Sequence, residues 1–181
     1  MRIVGGKYRH RQIIYPDDVN HIRPTKDRIR EAIFSALGDI SDAKVLDLYA
    51  GSGAMGIEAL SRGAIHAIFV DVSPLAIKVI KDNINNLKIG DNEYEVIKNS
   101  DVNALDIFMA KGQKFDLVIL DPPYEKGQYE TILKALVDKN LLNDDAVIVM
   151  ESNHPISLEN IDYKRNKEYH YGEIMVNILW R

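Results

Sequence analysis

The stretch Val45-Leu46-Asp47-Leu48-Tyr49-Ala50-Gly51-Ser52-Gly53 carries a short apolar strand directly into a glycine-rich turn. A second apolar run, residues 115–120, leads in the same way into Asp121-Pro122-Pro123-Tyr124. In an open parallel sheet, ligands bind outside the carboxyl ends of the strands, at the point where the strand order reverses. We therefore expect the two loops to converge on one crevice.

The rest of the chain alternates between strand and helix patterns, which predicts an α/β fold with a doubly wound, mostly parallel sheet. A helix is predicted to begin at Pro74 after the N-cap Ser73. Residues 163–171 and 173–180 flank Gly172 with no helix between them, so we expect a C-terminal antiparallel hairpin at one sheet edge. The other predicted strands comprise residues 45–49, 67–70, 95–98, 115–120 and 146–150, and the other predicted helices of this part comprise residues 54–62, 102–110 and 128–139.

A length of 181 residues fits a single domain. We divide it into a basic N-terminal extension, residues 1–38, and a catalytic core, residues 39–181. Residues 2–4 and 12–15 of the extension are predicted to pair as a small hairpin. Thr25 is predicted to cap a helix that leaves Arg28 and Arg30 on its flanks, because its apolar residues share one face. Those apolar residues are Ile29, Ile33, Ala36 and Leu37.

Basic residues are concentrated at the N-terminus. Residues 1–30 contain eight Lys or Arg against three acidic residues, whereas the whole chain carries a net charge of −4. A basic segment on an acidic body can neutralise phosphates locally, while the body resists nonspecific binding to nucleic acid. The charge distribution therefore favours a nucleic-acid partner for this segment, and a solvated charged tail is the alternative.

Composition excludes several classes of protein. The chain contains no cysteine, which excludes disulfides and thiolate chemistry. No apolar run reaches the roughly 18 residues of a membrane span, and the N-terminus lacks the apolar segment of a secretory signal. We expect a soluble cytoplasmic protein, and nothing in the sequence demands more than a monomer. The five histidines show no metal-ligand spacing, so no metal is predicted.

The glycine-rich turn has two interpretations. Gly51-x-Gly53-x-x-Gly56 also satisfies the dinucleotide fingerprint of dehydrogenases, and Asp71, twenty residues after Gly51, suits the ribose hydroxyls in both. Asp47 favours S-adenosylmethionine, because an acid inside the first strand can meet the ammonium end of a cationic cofactor. The alternatives are an ordinary ion pair of Asp47 with Lys or Arg, and a helix-cap role for Asp71.

Asp101 follows the third predicted strand and has two interpretations. Its carboxylate could accept a hydrogen bond from an adenine amino group, or it could cap the following helix.

Asp121-Pro122-Pro123-Tyr124 suits a planar exocyclic amine, whose lone pair is delocalised and must be drawn toward tetrahedral geometry before it attacks a methyl group. The Asp121 carboxylate and the Pro122 carbonyl can each accept one N–H, and proline fixes φ near about −65°. Tyr124 can stack on the base, which is worth about 1–3 kcal/mol. Asp121 or water can then take the proton. A proline-rich turn without chemistry is the alternative.

The chain resembles the RsmD-type bacterial small-subunit ribosomal RNA guanine-N2 methyltransferases over its whole length. The resemblance rests on residues 1–7, on Arg23-Pro24-Thr25 with Arg28-Ile29-Arg30-Glu31, on residues 47–53 and 58–63, and on residues 121–124. It implies the Rossmann-like fold of methyltransferases that use S-adenosylmethionine, and methylation of the exocyclic N2 amine of a guanine. It also implies a partner, which is ribosomal RNA or a small ribosomal subunit particle.

The candidate site residues fall into three groups. The candidate cofactor-binding residues are Asp47, Tyr49, Ala50, Gly51, Ser52, Gly53, Asp71, Val72, Asp101 and Val102. The candidate catalytic residues are Asp121, Pro122 and Tyr124. The candidate substrate-binding residues are Pro123 and Lys126 beside the clamp, and Arg9, Arg11, Arg23, Thr25, Arg28 and Arg30 in the extension.

The sequence departs from the family pattern at three positions. His10 stands where a glycine is usual, which leaves the turn geometry of the basic hairpin open. Tyr124 replaces a frequent phenylalanine and Asp71 a frequent glutamate, and both changes keep the chemistry. Two other functions stay open, namely a DNA or RNA adenine-N6 methyltransferase with the same clamp, and a dinucleotide-binding module without methyl transfer.

Overall fold

Seven strands form one sheet in the computed structural model, which describes residues 1–15, 27–122, 128–159 and 161–181. The strands are β1 (Lys44–Leu48), β2 (His66–Asp71), β3 (Tyr94–Lys98), β4 (Phe115–Leu120), β5 (Leu142–Ser152), β6 (Arg165–Tyr171) and β7 (Ile174–Trp180). Their order across the sheet is β3-β2-β1-β4-β5-β7-β6. The first five strands are parallel, and β7 is antiparallel to both β5 and β6. The predicted α/β fold with a C-terminal antiparallel hairpin is therefore confirmed.

Five helices lie in the described part of the chain: α1 (Asp27–Leu37), α2 (Ala54–Ser61), α3 (Pro74–Leu87), α4 (Asp101–Ala110) and α5 (Gln128–Asp138). The predicted start of α3 is confirmed, because the Ser73 hydroxyl accepts a hydrogen bond from the Ala76 N–H at 3.3 Å and Pro74 is the first helical residue. The predicted cap of α1, Thr25, lies outside the described residues.

The helices cover both faces of the sheet. One hydrophobic cluster joins α1, α2 and α3 to the sheet and includes Ile3 and Ile13 of the N-terminal extension, both buried. The other cluster joins α4 and α5 to the opposite face. Strand order reverses beside β1, since the chain runs from β1 outward through β2 to β3 and then returns to place β4 on the other side of β1. This reversal is the topological switch point where ligands of such sheets bind.

The N-terminal extension folds back on itself as predicted, but through a single antiparallel bridge, Arg2 to Gln12, rather than through two strands. Backbone hydrogen bonds from the Ile3 N–H to the Arg11 carbonyl and from the Ile13 N–H to the Met1 carbonyl extend the pairing. His10 has a φ of 68°, in the left-handed region that favours glycine. The turn therefore keeps a glycine-like conformation although its residue carries a side chain.

The prediction that Arg30 is an exposed, substrate-binding residue is wrong. This residue was expected on the flank of α1, available to RNA, but its side chain is 0% exposed. Its Nε lies 3.3 Å from a carboxylate oxygen of Glu58, and one terminal nitrogen lies 3.0 Å from Asp27. The helix turns Arg30 inward because α2 places a buried carboxylate opposite it, and a helical period alone does not show such a partner.

Candidate active site

The two motifs meet at the switch point. β1 and β4 are neighbours with Asp47 opposite Ile119 and Leu48 opposite Leu120. The glycine-rich turn continues from β1 and Asp121 continues from β4, so both loops emerge at the same edge of the sheet from adjacent strands. The structure thus places the glycine-rich turn beside Asp121 and Pro122, the described start of the second loop.

Asp47 is a buried acid at the base of this site, 3% exposed. One carboxylate oxygen accepts a hydrogen bond from the Gly56 N–H at 2.8 Å, which orients it under the first turn of α2. Burial raises the pKa of Asp47 to about 7, the Gly56 hydrogen bond opposes that rise, and the charge of Asp71 adds to it. Asp47 has no ion pair with a Lys or Arg in the described residues, so that alternative has no support in the structure.

Asp121 belongs to the same group of acids. Burial raises its pKa well above the ordinary value, and the charges of Glu151 and Asp47 raise it further. Glu151 lies near the carboxyl end of β5, the strand next to β4, and sequence reasoning missed it. The signal was present, because Glu151 directly follows an apolar strand just as Asp121 does. The charges of Asp47 and Glu151 thus both act on Asp121 at the carboxyl ends of neighbouring strands.

The glycine-rich turn is held by Asp71. One carboxylate oxygen of Asp71 accepts the Gly51 N–H at 2.9 Å and the other accepts the Ser73 N–H at 2.8 Å. Gly51 and Gly53 have φ values of 56° and 77°. A Cβ added at Gly51 would meet nothing within 4 Å, so the backbone there faces open space that a ligand can enter. The N-cap of α3 is Ser73, so the cap alternative for Asp71 is wrong.

Asp101 makes a defined contact on the other side of the turn. The N-cap of α4 is Ser100, whose hydroxyl accepts the Asn103 N–H, so the cap interpretation of Asp101 is wrong. The Tyr49 hydroxyl donates to the Asp101 carboxylate at 2.5 Å and accepts from the Gln128 side chain at 3.2 Å. Burial, followed by the Asp101 hydrogen bond, raises the pKa of the Tyr49 phenol. Tyr49 therefore stays neutral and links the turn to α4 and α5.

The apolar candidates Val72 and Val102 lie one residue after Asp71 and Asp101 and are 63% and 60% exposed. Both belong to the carboxyl edge of the sheet, where an apolar ligand surface would cover them. Ala50 and Ser52, the remaining turn candidates, are buried.

The extension contributes a part of the site that the sequence did not reveal. Asn83 of α3 is 1% exposed and contacts the backbone of Ile14 and the carbonyl of Ser52. Tyr15, the next residue, is half-buried and close enough to Asp121 for that charge to act on its phenol. No local sequence pattern predicts the roles of Asn83 and Tyr15, because these roles depend on contacts between residues far apart in the chain.

The basic candidates differ in accessibility. Arg9 and Arg28 are exposed, and neither forms an ion pair with the described residues. Arg11 is exposed but donates to the Asn86 carbonyl at 2.9 Å. Arg23, Thr25, Pro123, Tyr124 and Lys126 lie outside the described residues. Pro122 is buried directly after Asp121.

Comparison with known proteins agrees with this geometry. A model of the family described as conserved hypothetical protein 95 matches residues 1–180. Ribosomal RNA small subunit methyltransferase D of Escherichia coli is 34% identical over 184 residues, which cover 100% of this chain and 90% of that protein. The chain belongs to this family. The protein of the same name from Haemophilus influenzae is 33% identical over an alignment that covers 84% of this chain and 78% of that protein. The solved Escherichia coli protein yhhF has a TM-score of 0.86 at 34% identity, with 100% and 97% of the two chains covered.

Family membership decides between the interpretations of the glycine-rich turn. The fold and the family are those of methyltransferases, so the dinucleotide-binding module without methyl transfer is not favoured. None of the helices in the described part of the chain combines the length and the apolar character of a membrane-spanning segment. The same residues contain no group of three or more His, Asp or Glu side chains arranged to hold a metal ion.

Proposed function

We propose that this protein transfers a methyl group from S-adenosylmethionine to the exocyclic N2 amine of a guanine in small-subunit ribosomal RNA. The observation that carries the proposal is the juxtaposition of Asp47 and Asp121 across the switch point, on adjacent strands β1 and β4. The relatives named as ribosomal RNA small subunit methyltransferase D support the substrate class.

The residues present fit S-adenosylmethionine. Its sulfonium and ammonium groups are cationic, and a cation bound beside Asp47 would offset the cost of ionising this buried carboxyl group. Asp47 would meet the ammonium end, and Gly51 leaves open backbone for the nucleoside. Asp101, already hydrogen-bonded to Tyr49, would lie at the adenine end. The cofactor supplies the methyl group.

The chain's own residues supply alignment and proton acceptance. We propose that the Asp121 carboxylate and the Pro122 carbonyl accept the two N–H groups of the guanine amine, which turns its nitrogen lone pair toward the methyl carbon. Tyr124 and Pro123 would hold the base, and Lys126 a nearby phosphate. The cofactor, when bound, would supply the methyl group to this nitrogen, which would become strongly acidic on methylation. Asp121 or water then takes the proton.

The basic extension, residues 1–38, is proposed to bind the RNA through Arg9, Arg11 and Arg28, with Arg23 and Thr25. The core, residues 39–181, is proposed to carry the chemistry. We propose ribosomal RNA or a small ribosomal subunit particle as the partner, a monomer as the working form and the cytoplasm as its place of action.

The substitution Asp121→Ala tests the role of the clamp. We expect methyl transfer to RNA from cells lacking this gene to fall by at least about 100-fold, because alignment and one acceptor of the amine are lost. Affinity for S-adenosylhomocysteine should stay within about threefold of the wild type, measured by calorimetry. Asp162→Ala, at an exposed position, is the control.

Two outcomes would contradict the proposal. Equal loss of transfer and of cofactor binding in Asp121→Ala would make the residue structural. Mapping of the labelled methyl group to adenine N6 instead of guanine N2 would favour the adenine methyltransferase.

A further inference from the structure

Asn83 uses its whole side-chain amide to join two segments that are far apart in sequence. Its Oδ1 accepts the Ile14 N–H at 2.6 Å, and its Nδ2 donates to the Ile14 carbonyl at 2.9 Å. The same Nδ2 donates to the Ser52 carbonyl at 3.0 Å. Asn83 therefore holds both backbone polar groups of Ile14, as a neighbouring strand would, and fixes them to the glycine-rich turn.

This contact is separate from the anchor of the extension. Glu58 of α2 accepts the Val4 and Gly5 N–H groups at 2.9 and 2.8 Å. Ser61 accepts the Tyr8 N–H at 2.9 Å and donates to the Gly5 carbonyl at 2.5 Å. Residues 4–8 are thus docked on α2 by their own hydrogen bonds. Loss of Asn83 would free residue 14 without releasing the start of the chain.

The residue that Asn83 positions next is Tyr15. Burial, with a further contribution from the Asp121 charge, raises the pKa of the Tyr15 phenol to about 12. The phenol is therefore neutral at physiological pH, and Tyr15 brings an aromatic ring to the neighbourhood of the carboxylate that is proposed to accept the amine N–H groups. Because Tyr15 directly follows Ile14 in the chain, the hydrogen bonds that hold the Ile14 backbone also restrict the position of the Tyr15 backbone.

We propose that Asn83 is a positioning residue for methyl transfer: by fixing the Ile14 backbone to the glycine-rich turn, it holds Tyr15 on the Asp121 side of the site, where Tyr15 forms one wall of the pocket for the acceptor base. The inference rests on the proposed function and adds a substrate-contacting residue to it. It makes the extension a part of the catalytic site as well as a region that binds RNA, and it explains why a buried amide on α3 reaches both the extension and the turn.

A double-mutant cycle of Asn83→Ala and Tyr15→Ala tests the inference on the full-length protein. Each single variant should lower kcat for labelled methyl transfer to RNA by about 10- to 100-fold, because the base is no longer aligned. The double variant should be within about twofold of the worse single variant, since both changes remove the same wall. S-adenosylhomocysteine affinity should stay within about threefold. Asn85→Ala, which removes an exposed amide from the same helix, should match the wild type.

Three results would overturn the inference. Losses that multiply in the double variant would show that Asn83 does not act through Tyr15. An unchanged kcat in Asn83→Ala, with only a lower melting temperature, would make its role structural. A loss of cofactor affinity that accounts for the whole loss of transfer would confine Asn83 to the glycine-rich turn.

Two further variants complete the design. If Asn83→Ala does not fold, Asn83→Asp replaces it in the cycle, because Asp keeps the size and the acceptor but lacks both N–H donors. Tyr15→Phe separates the ring from the hydroxyl, and a kcat near that of the wild type would assign the wall to the ring. Failure of the wild type itself to methylate RNA would contradict the proposed function instead, so the two failures are distinguishable.

Discussion

At the scale of single residues, Asp47 shows how the site is adapted to a cation. Its pKa is raised to about 7 from an ordinary value of 3.8. The folded protein therefore keeps a proton that the unfolded chain has already lost, so this residue favours folding less as the pH rises from about 4 to about 7. A bound cation reverses the balance, because it stabilises the ionised carboxylate.

Cofactor affinity should consequently rise with pH. Between pH 6 and pH 8, the ionised fraction of a group with a pKa near 7 increases about tenfold. We expect the dissociation constant of S-adenosylhomocysteine to fall by about that factor, with proton release detected by calorimetry in buffers of different ionisation enthalpy. Asp47→Asn should bind weakly and with a flatter pH profile. Asp42→Asn, an exposed change at a left-handed position that Asn tolerates, is the control.

An affinity that is constant between pH 6 and pH 8 in the wild type would show that Asp47 does not exchange its proton for the ligand's charge.

At the scale of elements, helix α1 carries two arginines with opposite roles. Arg30 is buried against Glu58, which also accepts the N–H groups of Val4 and Gly5 and pairs with Arg62. Removing one partner of a buried ion pair costs about 3–5 kcal/mol, and the lower end of that range applies to Arg30 because Arg62 and two backbone N–H groups still compensate Glu58. Arg28 is exposed, two residues away on the same helix.

The two residues therefore make a matched pair of variants. Arg30→Ala should lower the free energy of unfolding by about 3 kcal/mol in urea denaturation. Arg28→Ala should change it by less than about 0.5 kcal/mol and weaken RNA binding instead. Equal stability of the two variants would show that the Glu58 cluster does not hold the extension on α2.

The elements themselves were largely predictable from local sequence. β4 matched residue for residue, and α3 began at its predicted cap, because apolar periodicity and capping are local signals. β5 was predicted as residues 146–150 but extends over Leu142–Ser152. Its start contains Asn143-Asp144-Asp145, which reads as a loop. Asp116 stabilises it by accepting the Asn143 amide at 2.6 Å, beside a register shift in the pairing with β4.

The site was predictable only where its residues follow a strand. Asp47, Gly51, Asp71 and Asp121 all stand at or just beyond the ends of parallel strands, so the topology alone brings them together. The role of Asn83 and the burial of Arg30 depend on which segments pack against each other. A helical pattern does not encode such partners, and the sequence therefore assigned Arg30 to the surface.

At the scale of the whole molecule, the charge is unevenly distributed. The chain carries a net charge of −4, yet the extension is basic. Much of that basic charge is engaged within the protein. Arg2 pairs with Asp27, Lys7 with Glu93 and Arg30 with Glu58. Arg9 and Arg28 have no such partner in the described residues, so they are the arginines of the extension best placed to displace counterions from RNA.

The salt dependence of RNA binding should therefore report these two residues. Each phosphate contact contributes about 0.7 to 0.9 to the slope of log affinity against log salt concentration. We expect Arg9→Ala with Arg28→Ala to reduce that slope by about 1.4 to 1.8, measured by fluorescence anisotropy over a potassium chloride series. Lys164→Ala is the control, because it removes a positive charge outside the extension. Lys164 lies just before the edge strand β6 and pairs with Asp145, so its loss should leave the slope unchanged. An equal reduction of the slope in the arginine variant and in the Lys164 variant would contradict this prediction. The net charge of the protein, rather than contacts of Arg9 and Arg28 with phosphates, would then govern RNA binding.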